Sequence, residues 1–231
     1  VQVIALILVG VLALTGCGNV QKVERPTPEE VQPTLPTRAE PLSPLPPPTA
    51  TPRPTPMLPI VEMVEIPAGP FLMGSDKGEP DEAPAHEVDL PAFQIDKYEV
   101  TNADFVTFVQ DTSYVTWAEM RTDWPNWRQE FGFGEENHPV VRVTFDDAVA
   151  YCTWAGKRLP TEAEWEKAAR GIDGRIYPWG DEFDGSRLNY CDTNCIFDWK
   201  DKKTDDGYIN TAPIGSFPTG ASPYEVEDMA G

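Results

Sequence analysis

The sequence has few histidines and cysteines, two residue types that often act as bases, nucleophiles or metal ligands. It contains 2 histidines and 4 cysteines, and 38 aspartates and glutamates outnumber 18 lysines and arginines. The two histidines, His86 and His138, stand far apart in the chain and are the only imidazoles available as bases. A net charge of −20 opposes attraction to phosphate backbones and to anionic lipid headgroups, so we expect no nucleic-acid partner.

Long hydrophobic runs are also scarce. Residues 3–14 form an uncharged apolar run of about 12 residues, whereas a membrane-spanning helix needs about 20. The run is typical of the apolar core of a secretory signal, and because the chain begins with Val1 we expect its natural start to precede it. It ends in Leu14-Thr15-Gly16-Cys17, which is similar to the lipobox of bacterial lipoproteins. We therefore predict a signal peptide and lipobox at 1–17.

On this interpretation Cys17 carries the lipid, which anchors the exported protein to the bacterial membrane with its domain outside the cytoplasm. The alternative is an ordinary signal peptide with an incidental cysteine. Residues 18–60 hold 13 of the 25 prolines, no aromatic residue, and four basic and four acidic residues. Such a composition predicts a disordered or polyproline II linker. The net negative charge therefore lies on residues 61–231.

Residues 61–231 are long enough for one domain with a substantial core. The pattern predicts strands at 61–66, 71–73, 86–90 and 93–100. Three helices are predicted to begin at Thr101, Thr144 and Thr161, each followed three residues later by a carboxylate, with Gly156 and Gly171 ending the second and third. Beyond Gly171 we predict ordered loops with short strands, which need a metal or a disulfide to hold them.

Several stretches of residues 61–231 resemble the formylglycine-generating enzyme family, also called the sulfatase-modifying factor family. The resemblance implies an irregular, loop-rich α+β fold related to C-type lectins, with short strands, few helices and bound structural calcium. The most specific motifs are Ile66-Pro67-Ala68-Gly69-Pro70-Phe71, Asp96-Lys97-Tyr98-Glu99-Val100-Thr101-Asn102, Gly156-Lys157-Arg158-Leu159-Pro160-Thr161-Glu162-Ala163-Glu164-Trp165-Glu166 and Tyr177-Pro178-Trp179-Gly180.

The resemblance also implies an activity. Authentic enzymes of this family bind copper(I) through two cysteines near the C-terminus and use oxygen to convert a sulfatase cysteine to formylglycine. Neither cysteine is among residues 1–231, so we expect no catalytic residue here, and we expect the family domain to continue past Gly231. Two functions stay open: activation of exported sulfatases, or non-catalytic binding of a protein, peptide or glycan by a surface-tethered domain on the same scaffold.

The cysteines after Cys17 have separate interpretations. Cys191 and Cys195 are close in sequence, and an oxidising exterior compartment favours a disulfide between them over a metal site. Cys152 lies on the small, apolar face of the second predicted helix, which favours a buried thiol. By the resemblance, a disulfide with a cysteine outside this chain is its alternative.

A calcium site is implied by the resemblance at Asn189, Tyr190, Asp206 and Tyr208, through two side chains and two backbone carbonyls. One carboxylate with several neutral oxygens suits this hard cation. The alternative is that Asp205-Asp206-Gly207 is only an acidic turn. Glu162, Glu164 and Glu166 resemble an acid–base set, but their place at a helix N-terminus predicts a structural role.

Overall fold

A two-stranded antiparallel ribbon, interrupted once, begins the domain. The computed structural model describes residues 61–231, apart from 79, 122 and 133. Strand β1 (Met63–Ile66) pairs with β4 (Phe93–Asp96), and β2 (Gly69–Met73) pairs with β3 (His86–Leu90). Met63 lies opposite Asp96 at one end of the ribbon, and Met73 lies opposite His86 at the other end. Both sides of the ribbon advance by the same number of residues between these pairs, so one register continues through both pairs of strands.

The predictions for residues 1–60 fall outside the described residues. These are the signal peptide and lipobox at 1–17, with Cys17 as the lipidated residue, and the proline-rich linker at 18–60. Within the part of the chain that the structure describes, no helix is both long and apolar enough to cross a membrane.

The three predicted helices are confirmed, together with their N-caps. They are α1 (Asn102–Thr112), α3 (Phe145–Trp154) and α4 (Glu162–Arg170). In each, the threonine side chain accepts a hydrogen bond from the backbone N of the third helical residue. The carboxylate of that residue accepts a hydrogen bond from the backbone N of the threonine. The pairs are Thr101–Asp104, Thr144–Asp147 and Thr161–Glu164. Gly171 caps α4 with φ of 72°, a conformation that side chains strain to adopt.

A fourth helix, α2 (Trp127–Glu130), was not predicted. Its signal is present in the sequence, because Asn126 and Gln129 form the same reciprocal cap. A helix of one turn carries too little hydrophobic periodicity to be recognised from its pattern.

Two strand predictions were wrong. The strand predicted at 93–100 ends at Asp96, since the backbone beyond it bonds to distant segments: Lys97 O accepts from Glu227 N, and Val100 O accepts from Val140 N, both at 2.9 Å. The short strands predicted after Gly171 do not form, and residues 171–231, all of them described, contain one 3-10 helix, Pro218–Gly220, among turns and loops. The chain therefore has the irregular α+β character that was predicted.

Two clusters of buried side chains hold these elements together. In the first, α4 packs on the ribbon, and the last part of the chain contributes Val226 and Met229. In the second, α1 packs against α3 around Phe105, which is 1% exposed. The ring of Phe105 contacts Trp127 edge-on and stacks on Tyr151. Val226 and Met229 therefore connect the loop region after α4 to the apolar core.

Candidate functional site

The four residues predicted to bind calcium lie together in the structure. The carboxylate of Asp206 is their centre: its Oδ2 accepts hydrogen bonds from Nδ2 of Asn189 at 2.8 Å and from the backbone N of Tyr190 at 3.3 Å. Its Oδ1 accepts from the backbone N of Tyr208 at 2.8 Å. Two segments 16 residues apart in sequence are thereby joined at one carboxylate.

This donor set fits a hard cation. Calcium takes carboxylate, amide and carbonyl oxygens in flexible geometry, and Asn189, Asp206 and the neighbouring backbone offer all three. When the side-chain amide of Asn189 rotates by half a turn, its oxygen takes the place of its NH2 group. Since the described residues contain no group of three or more His, Cys, Asp or Glu side chains arranged for a metal, a cation here would depend on neutral oxygens as well. The ion itself stays a prediction.

The predicted disulfide closes a five-residue loop beside this carboxylate. Cys191 and Cys195 are bonded, with Cα atoms 5.0 Å apart. Nζ of Lys200 donates to the carbonyls of Thr193 at 3.0 Å and Cys195 at 2.8 Å, and the backbone N of Asp201 donates to the carbonyl of Cys191 at 3.0 Å. Both sulfur atoms are committed to each other, so neither is available as a metal-binding thiolate.

Cys152 is a free thiol in the core, 2% exposed on α3. Burial raises its pKa to about 11, and the negative charge of Asp96 adds to the effect while Lys157 opposes it. The group is therefore a neutral thiol near pH 7, and thiols react and bind metals as thiolates. The structure agrees with the buried-thiol interpretation, and pairing with a cysteine outside this chain stays a prediction.

Two of the glutamates at the start of α4, Glu164 and Glu166, have structural contacts, as predicted. Arg158 holds Glu164 with two hydrogen bonds of 2.7 and 2.8 Å, which, with the cap, lower the pKa of Glu164 to about 2. Glu166 accepts from the backbone N of Gly74 at 2.8 Å and from Arg170. Both carboxylates are thus committed to fixing α4 and do not form an acid–base pair.

A buried carboxyl cluster of Glu99, Glu227 and Asp228 was missed by sequence reasoning. Burial, followed by the charge of Asp228, raises the pKa of Glu99 to about 8. Burial also raises the pKa of both other carboxyls. One oxygen each of Glu227 and Asp228 is buried without a hydrogen-bond partner among the described residues. Carboxyls in such surroundings tend to keep their protons.

An aromatic loop, residues 196–199, follows the disulfide and was likewise missed. Ile196, Phe197 and Trp199 are 79, 53 and 73% exposed. The rings of Phe197 and Trp199 stack with centroids 5.3 Å apart and planes 6° from parallel. Exposed apolar side chains that cluster on an ordered loop are characteristic of binding surfaces.

Comparison with known proteins finds, along most of the chain, the family that the sequence motifs resemble. A family model described as the sulfatase-modifying factor enzyme 1-like domain matches residues 48–231. The formylglycine-generating enzyme of Mus musculus is 39% identical over 214 residues, which cover 74% of this chain and 55% of that protein. The inactive C-alpha-formylglycine-generating enzyme 2 of Bos taurus is 36% identical over 214 residues, covering 74% of this chain and 68% of that protein.

A solved structure shares the fold. PvdO from Pseudomonas aeruginosa superposes with a TM-score of 0.55 at 29% identity, covering 72% of this chain and 66% of that one. The agreement supports the irregular α+β architecture described above. The chain spans about half the length of the mouse enzyme that it matches, 55%.

Proposed function

Because the chain belongs to the formylglycine-generating enzyme (sulfatase-modifying factor) family, we propose that the protein serves the oxidation of a cysteine to formylglycine in exported sulfatases. The observation that carries the proposal is the extent of the family match, which runs from residue 48 to 231 and includes every described residue. The reaction oxidises the cysteine Cβ to an aldehyde and releases the sulfur as hydrogen sulfide. Overall, the cysteine, dioxygen and two thiols of a reductant give the aldehyde, hydrogen sulfide, one water and a disulfide.

On this proposal residues 61–231 supply the scaffold and its calcium-binding loops, and they do not supply the redox centre. The three cysteines of the described part are unsuited to it, since Cys191 and Cys195 are bonded and Cys152 is a buried, protonated thiol. Copper would bind only if the complete protein carries the family's cysteine pair outside these residues.

We also place the protein outside the cytoplasm, anchored through a lipid on Cys17. The support is the apolar run that ends in Leu14-Thr15-Gly16-Cys17, followed by a proline-rich segment long enough to hold a domain away from a membrane. A disulfide between Cys191 and Cys195 agrees with an oxidising compartment.

The test is an assay on the complete gene product. After loading with copper(I) and incubation with oxygen, a thiol reductant and a Cys-x-Pro-x-Arg peptide, we expect mass spectrometry to find an aldehyde in place of the peptide thiol. A matched peptide with serine in place of the cysteine is the control and should stay unchanged. An unaltered cysteine peptide, with copper loading confirmed by metal analysis, would contradict the proposal.

One observation favours a second function, binding without turnover. The aromatic loop exposes Phe197 and Trp199 as a stacked pair, a surface suited to a peptide or a sugar ring. A relative at 36% identity is itself named inactive, so the scaffold also exists without the activity. If the complete, copper-loaded protein leaves the peptide unchanged, this second function is the better supported one.

A further inference from the structure

Asp192 is a charged side chain buried completely inside the disulfide loop. Its exposed fraction is 0%, although its neighbours Cys191 and Thr193 are partly or fully exposed. No salt bridge to Asp192 is formed by the lysines, arginines and histidines of the described residues. Burying an unpaired carboxylate is costly, and buried charges are ordinarily paired or held near a metal. The position of Asp192 therefore calls for a function.

Asp192 contacts both loop segments that are predicted to bind calcium, 189–190 and 206–208. Its Oδ2 accepts a hydrogen bond from the backbone N of Asp206, and its Oδ1 accepts from the backbone N of Asn194 at 2.8 Å. Its own backbone N donates to the carbonyl of Tyr190 at 2.8 Å. Asp192 thus holds the backbone of two of the four residues assigned to calcium, while its own carboxylate stays outside that set.

The disulfide fixes Asp192 in turn. Cys191 precedes Asp192, and the backbone N of Cys195 donates to the carbonyl of Asp192 at 3.1 Å, so the bond between the two cysteines closes the loop around this one side chain. Lys200, which donates to the carbonyl of Cys195 at 2.8 Å, anchors the far side of the loop. Without the disulfide, the segment from 191 to 195 loses its covalent closure and Asp192 gains freedom.

We propose that Asp192 is a positioning residue for calcium and that the Cys191–Cys195 disulfide, by fixing Asp192, raises the calcium affinity of the site at Asp206. The inference rests on the calcium site and names a residue and a bond that control it. Asp192 orients the Asp206 backbone through its hydrogen bond, and its uncompensated negative charge strengthens a nearby cation site. Oxidation of the two thiols is then linked to calcium binding.

Linkage makes the effect reciprocal. If the disulfide strengthens calcium binding by some factor, calcium stabilises the disulfide against reduction by the same factor. The extent of reduction of Cys191–Cys195 at equilibrium with a thiol reagent, measured with calcium or with a chelator, therefore reports the coupling without any assay of activity.

The direct experiment measures calcium binding by isothermal titration with calcium chloride. Asp192→Asn keeps the size and one acceptor oxygen but removes the charge, and we expect it to weaken calcium binding about tenfold to a hundredfold, as is usual for residues that support metal ligands. The double substitution Cys191→Ser with Cys195→Ser should weaken binding in the same direction. Asp198→Asn, an exposed carboxylate on the neighbouring aromatic loop, is the matched control and should bind as the unaltered protein does.

The outcomes separate the two proposals. If the unaltered protein binds calcium and both the Asp192 and the cysteine variants bind it equally well, the positioning role is wrong and the calcium site stands. If the unaltered protein binds no calcium, the calcium site itself is wrong and the inference fails with it. Should Asp192→Asn fail to fold, the reduction experiment on the unaltered protein decides, because calcium that leaves the reduction of the disulfide unchanged overturns the coupling.

Discussion

Asp206→Ala is expected to abolish the calcium-dependent part of the domain's thermal stability. Asp206 supplies the one carboxylate that joins Asn189, Tyr190 and Tyr208, so its loss removes both the charged ligand and the contact between the two loop segments. An ion that binds only the folded state stabilises it by about 2.7 kcal/mol when its concentration is about 100 times the dissociation constant. For a domain of this size, that corresponds to a rise in melting temperature of about 5–10 °C.

The measurement is a pair of thermal melts, one in calcium chloride and one in a calcium chelator. The unaltered protein should melt several degrees higher with calcium, whereas Asp206→Ala should melt at one temperature in both. Asp198→Ala changes an exposed carboxylate of the neighbouring loop and should keep the full difference. Equal melting temperatures of the unaltered protein with and without calcium would contradict the assignment.

Glu99→Gln is expected to stabilise the domain in alkaline solution and to leave its stability unchanged in acid. The folded pKa of Glu99 is about 8, above the ordinary value of 4.5, because the side chain is buried and Asp228 lies near it. The folded state therefore binds a proton more tightly than the unfolded chain. The stability gained from this proton is complete below about pH 4.5 and is lost as the pH rises through about 8. Glutamine keeps the neutral form at every pH.

The comparison is the free energy of unfolding by urea at about pH 5 and about pH 9. The variant should match the unaltered protein at the lower pH and exceed it at the higher one by an amount on the order of a few kcal/mol. Glu65→Gln, on the exposed side of β1, controls for the general effect of removing one negative charge from an acidic domain. If both variants gain equally at high pH, Glu99 has no special role in the buried carboxyl cluster.

Local chemistry made part of the fold predictable. The helices α1, α3 and α4 were placed from the threonines at 101, 144 and 161, because an N-cap and its reciprocal carboxylate are set by four consecutive residues. The disulfide was predictable for the same reason, since Cys191 and Cys195 are close enough in sequence for one turn of the chain to bring them together. The ends of strands were harder, and β4 stops at Asp96 because segments 40 or more residues away bond to Lys97 and Val100 beyond it.

Burial of charge was the part that sequence reasoning missed. Lys167 lies on a polar, charge-rich helix, yet it is 1% exposed and its Nζ donates to the carbonyls of Pro67 and Gly69, about 100 residues earlier. Asp192, 0% exposed, and Glu227, 8% exposed, show the same effect. Nothing within a few residues of these side chains indicates what covers them, because the covering segments arrive only when the whole domain folds.

The proximity of Asn189 and Asp206 was predictable in a different way, and calcium binding there stays a prediction. Asn189 and Asp206 lie in stretches without periodicity, and only the resemblance to a known family placed them together. The structure brings their side chains to 2.8 Å, and it adds Asp192 as a third polar group that the family pattern did not indicate.

Whether residues 1–231 hold a redox centre of their own is decided most directly by mass spectrometry of a Cys-x-Pro-x-Arg peptide. The peptide is incubated with this chain, copper(I), oxygen and a thiol reductant, under the conditions used for the complete gene product. We expect the peptide thiol to remain unchanged. Cys152 is buried and protonated, and Cys191 and Cys195 are bonded to each other. Conversion of that thiol to an aldehyde by residues 1–231 alone would contradict the division between scaffold and redox centre.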